Sequence, residues 1–312
     1  PASSNSAIKL PPVGCTSRGP AEDSAPQLIL ITGKSGTLGQ MFARRCRLRG
    51  LPYLLTDRQM LAIDDPSSVA EALDRFRPAA VVNTAGLVDI ERAEADPAAC
   101  FAANTGGAVN LAYACHDRGI SFVAFSSDQV FDGTKGATYV EGDEPNPLNV
   151  YGLSKAEAEC RVLDIDAEAL VIRTAAFFSP HDMYNFAVHA LEAMRAGRPF
   201  MAAADNFVSP TYIPDLADAT LDLLLDGESG IRHLASGGGL SWAAFARALA
   251  IAAGLDPDLV RPVEAETFGW AALRPADATL GSERGEILPS LDDAIHRFMS
   301  EYQPAADHAM FG

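Results

Sequence analysis

Apolar residues take on a regular spacing at Gln27. Leu28-Ile29-Leu30-Ile31 is a continuous apolar run of the kind seen in strands buried on both faces. Short runs recur at Tyr53–Leu55, Ala79–Val82, Ile120–Phe125 and Ala169–Ile172, and helical spacing follows, as at Val69–Phe76, Phe101–Cys115 and Ala156–Leu163. Strands alternating with helices predict an α/β fold built on a doubly wound parallel sheet over residues 27–175. Beyond residue 175 the alternation loosens. Helical stretches at Tyr184–Met194, Asp215–Leu225, Trp242–Ala253 and Leu291–Phe298 are separated by strand-like pieces at Phe200–Ala204 and Ile231–Leu234. This half, residues 176–312, is expected to form a smaller α/β lobe over the C-terminal edge of the sheet, with strand exchange between the two left open.

Residues 1–26 differ in kind. They hold five prolines and five serines without sustained periodicity, a linker composition that cannot bury enough surface to order itself. The start at Pro1 suggests a tail once joined to an upstream fused domain. The 41 acidic and 24 basic residues give a formal charge of −17, which leaves no positive field for a nucleic-acid backbone or an anionic lipid surface, so neither is expected as a partner. No apolar run reaches the roughly 18 residues of a membrane span, and no basic-then-apolar leader opens the chain. A cytoplasmic location is the expectation. The odd set Cys15, Cys46, Cys100, Cys115 and Cys160, without C-x-x-C spacing, reads as mostly buried thiols. His116, His181, His189 and His233 lack paired ligand spacing, so no metal site is expected.

Directly after the first strand comes Gly33-Lys34-Ser35-Gly36-Thr37-Leu38-Gly39, then a helical run from Gln40 to Arg49. Glycines there permit a tight turn, close approach of backbone N–H groups to a pyrophosphate, and close helix–strand packing. With strand and helix flanking it, the loop marks residues 27–175 as a Rossmann-type dinucleotide-binding domain; alone, it would serve equally as a tight turn. Asp57-Arg58 follows the second strand. The acid suits an adenosine ribose and the base a 2′-phosphate, so the pair leaves NADPH and NADH both open, with Arg58 inclining it to NADPH. Small residues Asn83-Thr84-Ala85-Gly86 end the third strand and let a dinucleotide lie across the strand tips.

Tyr151 and Lys155 stand four apart, on one face of a helix. Seven tyrosines and four lysines placed at random would give roughly 0.09 such pairs. An adjacent lysine together with an oxidised nicotinamide ring is expected to favour the phenolate and draw the tyrosine's pKa toward working pH, and the same ammonium can hold a ribose hydroxyl. Ser127, at the end of the fourth strand, can hydrogen-bond a substrate carbonyl.

In this order, these features resemble an extended short-chain dehydrogenase/reductase, and within that superfamily the dTDP-4-dehydrorhamnose reductase family. The signs are Ser126-Ser127-Asp128-Gln129-Val130-Phe131-Asp132-Gly133, Pro147-Leu148-Asn149-Val150-Tyr151-Gly152, Asn185-Phe186, Asp205 to Tyr212 and Arg274-Pro275-Ala276. The resemblance implies NAD(P)H-dependent reduction of the C4 ketone of a nucleotide-linked deoxysugar, dTDP-4-dehydro-L-rhamnose or a close analogue. It implies Tyr151 as general acid, Lys155 as its ribose-binding partner and Ser127 as carbonyl anchor. It places Gly36-Thr37-Leu38, Ile63 and Ala85-Gly86-Leu87 against the cofactor, and Asp128 and Asn185 on the substrate side. Gln129 departs from the family's Tyr, Ala176 from its sugar-stacking Trp, and Met41 from a carboxylate found in metal-bridged dimers.

Two other readings remain. A cofactor-binding regulatory subunit would account for Gln129 and Ala176, but gives no physical reason to keep the Tyr–Lys spacing. An epimerase would begin by oxidising C4 and would retain its cofactor through purification.

Overall fold

The computed structural model describes residues 27–303; the linker expected at residues 1–26, and Cys15 with it, lies outside the described residues. The first half forms β1 (Ile29–Ile31), α1 (Thr37–Leu48), β2 (Tyr53–Leu55), α2 (Pro66–Phe76), β3 (Ala80–Asn83), α3 (Ile90–Ala95), α4 (Pro97–Phe101), α5 (Gly107–His116), β4 (Ser121–Phe125), α6 (Val150–Ile165) and β5 (Leu170–Arg173). The second forms β6 (Phe177–Phe178), α7 (Phe186–Arg195), β7 (Phe200–Ala203), β8 (Phe207–Val208), β9 (Thr211–Tyr212), α8 (Ile213–Leu225), β10 (Gly230–His233), β11 (Leu240–Ser241), α9 (Trp242–Ala252), β12 (Val260–Val263) and α10 (Leu291–Glu301).

Six strands make one parallel sheet in the order β10-β5-β4-β3-β1-β2. Every residue of β1, β3 and β5 is buried, because helices cover both faces; this is why those strands read as unbroken apolar runs. Val69, Leu73, Leu111, Phe122 and Val162 pack on one face, and Phe42, Val123, Ile172, Ile213 and Leu221 on the other. The doubly wound Rossmann-type fold expected from the sequence is therefore what forms. The chain past residue 175 contributes to this sheet as well: β10 pairs with β5, and α8 packs beside α1, tied by Arg49–Asp222 at 2.5 Å. A separate core gathers around the parallel pair β7–β12, with α7, α9 and α10 burying Leu191, Phe245, Leu249 and Phe298. The direction of chain winding reverses between β1 and β3, and a cleft opens there at the C-terminal ends of the strands. Among the described residues no helix is long and apolar enough to cross a membrane.

Candidate active site

A cleft of about 730 Å³ runs from the first turn of α1 to the wall between β7 and α9. The glycine loop divides its labour. Gly33 holds φ +82°, and a side chain there would meet Thr84 Oγ1 at 2.7 Å; one at Gly39 would meet the Gly33 carbonyl at 2.5 Å. Both glycines therefore serve the close packing of turn, helix and β3. Gly36 alone of the three lines the cleft, where a side chain would touch nothing nearer than the Gly33 carbonyl at 3.4 Å. The first turn of α1 receives no side-chain cap, which leaves its N–H groups and its positive partial charge without a side-chain partner where Gly36, Thr37 and Leu38 line the cleft. Thr37, Leu38, Ala85 and Gly86 complete this end, and Ser35 sits exposed at the turn behind it.

At the other end β4 runs into Ser127 and Asp128, and the amino end of α6 brings up Tyr151 and Lys155; all four line the cleft and all four are buried. Asn149 caps α6 by accepting from Gly152 N–H at 2.7 Å, and Gly152 is required because any side chain would strike the Gln129 carbonyl. Ser127 Oγ donates to Asp128 Oδ1 at 2.8 Å. Lys155 Nζ donates to the Phe125 carbonyl at 3.0 Å and lies 5.8 Å from the centre of the Tyr151 ring. Burial pushes the Lys155 ammonium down to about 8.

The phenol's own surroundings act on its proton as well. Burial first, and then the charge of Asp128, push the Tyr151 hydroxyl well above its usual range, against a hydrogen-bonding contribution from Ser127. The phenol keeps its proton at neutral pH.

Other predicted positions are not brought into the cleft lining. Asp57 caps its own turn through the Gln59 and Met60 N–H groups and pairs with Lys34 at 3.3 Å, which together lower its carboxyl pKa. Arg58 pairs with Asp64 at 2.5 Å. Ile63 is buried against Gly107, and its carbonyl accepts from Asn110. Leu87 packs behind Tyr151 with Ala93 and Cys100. Asn185 is committed as the cap of α7: its Oδ1 accepts from Val188 N–H, and its Nδ2 donates to the Ser179 and Asp182 carbonyls. This full set of bonds explains why a residue expected on the substrate side stays out of the cleft.

The sequence missed Asn104. The stretch read as one helix from Phe101 to Cys115 is interrupted by a π-helical turn, Ala102–Gly106. That turn directs Asn104 at the Leu87 backbone and Ser154 Oγ, and a side chain at Gly86 would lie 2.8 Å from Asn104 Oδ1 and 3.8 Å from Lys155 Nζ. π-turns recur at functional sites, but periodicity alone does not reveal one.

The family model described as the RmlD substrate binding domain matches residues 27–302. The chain belongs to the dTDP-4-dehydrorhamnose reductase family. It is 35% identical over 255 residues to a dTDP-4-keto-6-deoxy-D-glucose reductase of Streptomyces niveus, a match covering 81% of this chain and 88% of that one. It is 32% identical to a dTDP-4-dehydrorhamnose reductase of Burkholderia thailandensis, over 82% of this chain and 90% of the other. The crystal structure of a dTDP-4-dehydrorhamnose reductase from Bacillus anthracis in complex with NADP matches with a TM-score of 0.84 at 27% identity, covering 89% of this chain and 100% of that chain. As a member of the dTDP-4-dehydrorhamnose reductase family, the chain is an oxidoreductase.

Its departures from the family's pattern take definite form. Gln129 is buried and accepts from Asn149 at 3.1 Å, bracing the start of α6. Ala176 lines the cleft with φ +41°, a left-handed conformation uncommon outside glycine, and offers no ring for stacking. The aromatic surface lies elsewhere: Phe268 stacks on Trp270 at 4.9 Å, and Arg274 sits 4.1 Å over the Trp270 ring while pairing with Glu91 at 2.8 Å.

Asp128 gives a stability prediction. Burial raises its carboxyl to about 6, more than the hydrogen bonds with Ser127 and Gln129 lower it. The folded state thus binds this proton more tightly than the unfolded chain, so the group costs stability as pH rises from the ordinary carboxylate range through about 6. Asp128→Asn should be more stable than wild type by about 2–3 kcal/mol at about pH 7.5, with the advantage fading near pH 4. Urea unfolding of both proteins at the two pH values checks this; a variant less stable at the higher pH contradicts it.

Proposed function

We propose that this cleft binds NADPH or NADH and reduces the C4 ketone of a nucleotide-linked deoxysugar, dTDP-4-dehydro-L-rhamnose or a close analogue, to the alcohol. The observation that carries the proposal is the convergence of Ser127, Tyr151 and Lys155 in the same cleft as the uncapped first turn of α1. The residues fit such a cofactor. Backbone N–H groups and the Thr37 hydroxyl suit a pyrophosphate. The buried hydroxyls of Ser126 and Thr174, both on the cleft wall, have no partner among the described residues and suit the polar groups of a nicotinamide or substrate. Arg58, beyond β2, inclines the choice to NADPH, its guanidinium exchanging Asp64 for a 2′-phosphate.

When bound, a reduced nicotinamide supplies a hydride. Lys155 orients the ribose through its ammonium, turning from the Phe125 carbonyl. Ser127 turns its hydroxyl hydrogen from Asp128 Oδ1 to the ketone oxygen, and Tyr151 gives its hydroxyl proton to that oxygen as C4 receives the hydride. One ketone becomes one alcohol, and the phenolate regains a proton from solvent. Giving up that proton becomes easier the nearer the phenol's pKa is brought to working pH, which is the task of the Lys155 ammonium and the bound nicotinamide beside it.

The test is NADPH oxidation with dTDP-4-dehydro-L-rhamnose and close analogues. Turnover of at least one is expected. No turnover with any, by protein shown to bind NADPH, overturns the proposal and favours a regulatory cofactor-binding role.

A further inference from the structure

The stretch from Ser179 to Asn185 crosses the amino end of α1, and its anchors are specific. Asn185 Nδ2 ties it internally, to the Ser179 carbonyl at 2.7 Å and the Asp182 carbonyl at 2.6 Å. His181 Nε2 lies 2.5 Å from Arg44 on α1 and 3.2 Å from Glu301 on α10. So held, the strap places the Asp182 side chain on the cleft wall beside Gly36, Thr37 and Leu38. Asp182 Oδ1 accepts from the Tyr184 N–H at 2.9 Å, and Oδ2 accepts from Thr37 Oγ1 at 3.0 Å.

This is an unusual place for a carboxylate in a cleft that takes a dinucleotide. The Thr37 hydroxyl has a single hydrogen, and donating it to Asp182 withholds it from any phosphate oxygen. The first turn of α1 attracts one anion, and a second anion beside it is repelled in proportion to its proximity. We propose that Asp182 is an affinity-setting residue: its carboxylate competes with the cofactor's pyrophosphate for Thr37 and the amino end of α1, weakening cofactor binding and speeding release. The inference rests on the cofactor reading of the cleft. Its consequence is functional as well as energetic, since a reductase must exchange oxidised for reduced cofactor in every cycle, and release steps commonly limit turnover.

The experiment is fluorescence titration of NADPH and stopped-flow release of NADP⁺ with wild type, Asp182→Asn, Asp182→Ala and Asp182→Glu. Asp182 lies in an irregular surface stretch, so the variants are expected to fold, and circular dichroism verifies this. Removing the charge should lower the NADPH Kd by about five- to tenfold and slow release by a similar factor. Asp182→Glu, which keeps the charge, should stay within about twofold of wild type. If Asp182→Asn and Asp182→Ala bind NADPH no more tightly than wild type, the competition does not exist and the proposal falls. If wild type and all variants fail to bind NADPH or NADH at all, the cofactor reading itself is wrong.

Discussion

Replacing Tyr151 with Phe should leave NADPH affinity within about twofold of wild type and lower kcat by about 10²- to 10⁴-fold, the usual contribution of a positioned proton donor. The substitution isolates one atom. The Tyr151 ring packs against Ala93, Cys100, Leu87, Ile90 and Val150, and Phe preserves all of that contact. What disappears is the hydroxyl, the sole group proposed to give a proton to the ketone oxygen. Lys155→Met should separate the two tasks of the pair: with no ammonium to orient the ribose, the Kd for NADPH rises along with the fall in kcat. Fluorescence titration combined with single-turnover oxidation of bound NADPH measures both quantities. Normal turnover by Tyr151→Phe would remove Tyr151 from the proton path and leave Ser127 or a water as the donor.

The parts of this site that the sequence revealed are those governed by local rules. Buried parallel strands are nearly continuous apolar runs, so β1, β3, β4 and β5 stood out. Tyr151 and Lys155 lie one turn apart on a single helix, which is a spacing and therefore legible. Ser127 needed only to end a strand. What the sequence could not show lies where a residue's partners are remote in sequence. Asp57 and Arg58 have the right offset for an adenosine site, yet Lys34 and Asp64 take up their charges. Asn185 belongs to a family motif, but helix capping consumes its side chain, and the capping partners are visible only once α7 and the strap before it are in place. Spacing fixes that two side chains share a face, whereas burial and the charge of Asp128 set the phenol's proton affinity.

The largest stability effect is expected from Arg173→Met. Arg173 closes β5 with its side chain buried, donating through Nε and Nη2 to Glu159 at 2.9 and 2.7 Å and sitting 5.0 Å over the Phe131 ring. Glu159 is itself buried, so removing the guanidinium strands a carboxylate with no water to solvate it, a loss of about 3–5 kcal/mol. Arg173→Met combined with Glu159→Leu should recover most of that loss, because the cost comes from the unpaired charge more than from the missing bond. The double variant should still be impaired in catalysis. Glu159 lies one helical turn beyond Lys155 on α6, and its negative charge helps Lys155 hold its proton against burial. With that charge gone the ammonium is easier to lose, and the alkaline limb of the kcat profile should move to lower pH while stability is largely restored. Urea unfolding of the single and double variants, with pH profiles of the double variant and wild type, distinguishes the two effects. A single-variant loss under about 1 kcal/mol would mean that solvent reaches Glu159 and that the pair is not the staple between β5 and α6 that its burial indicates.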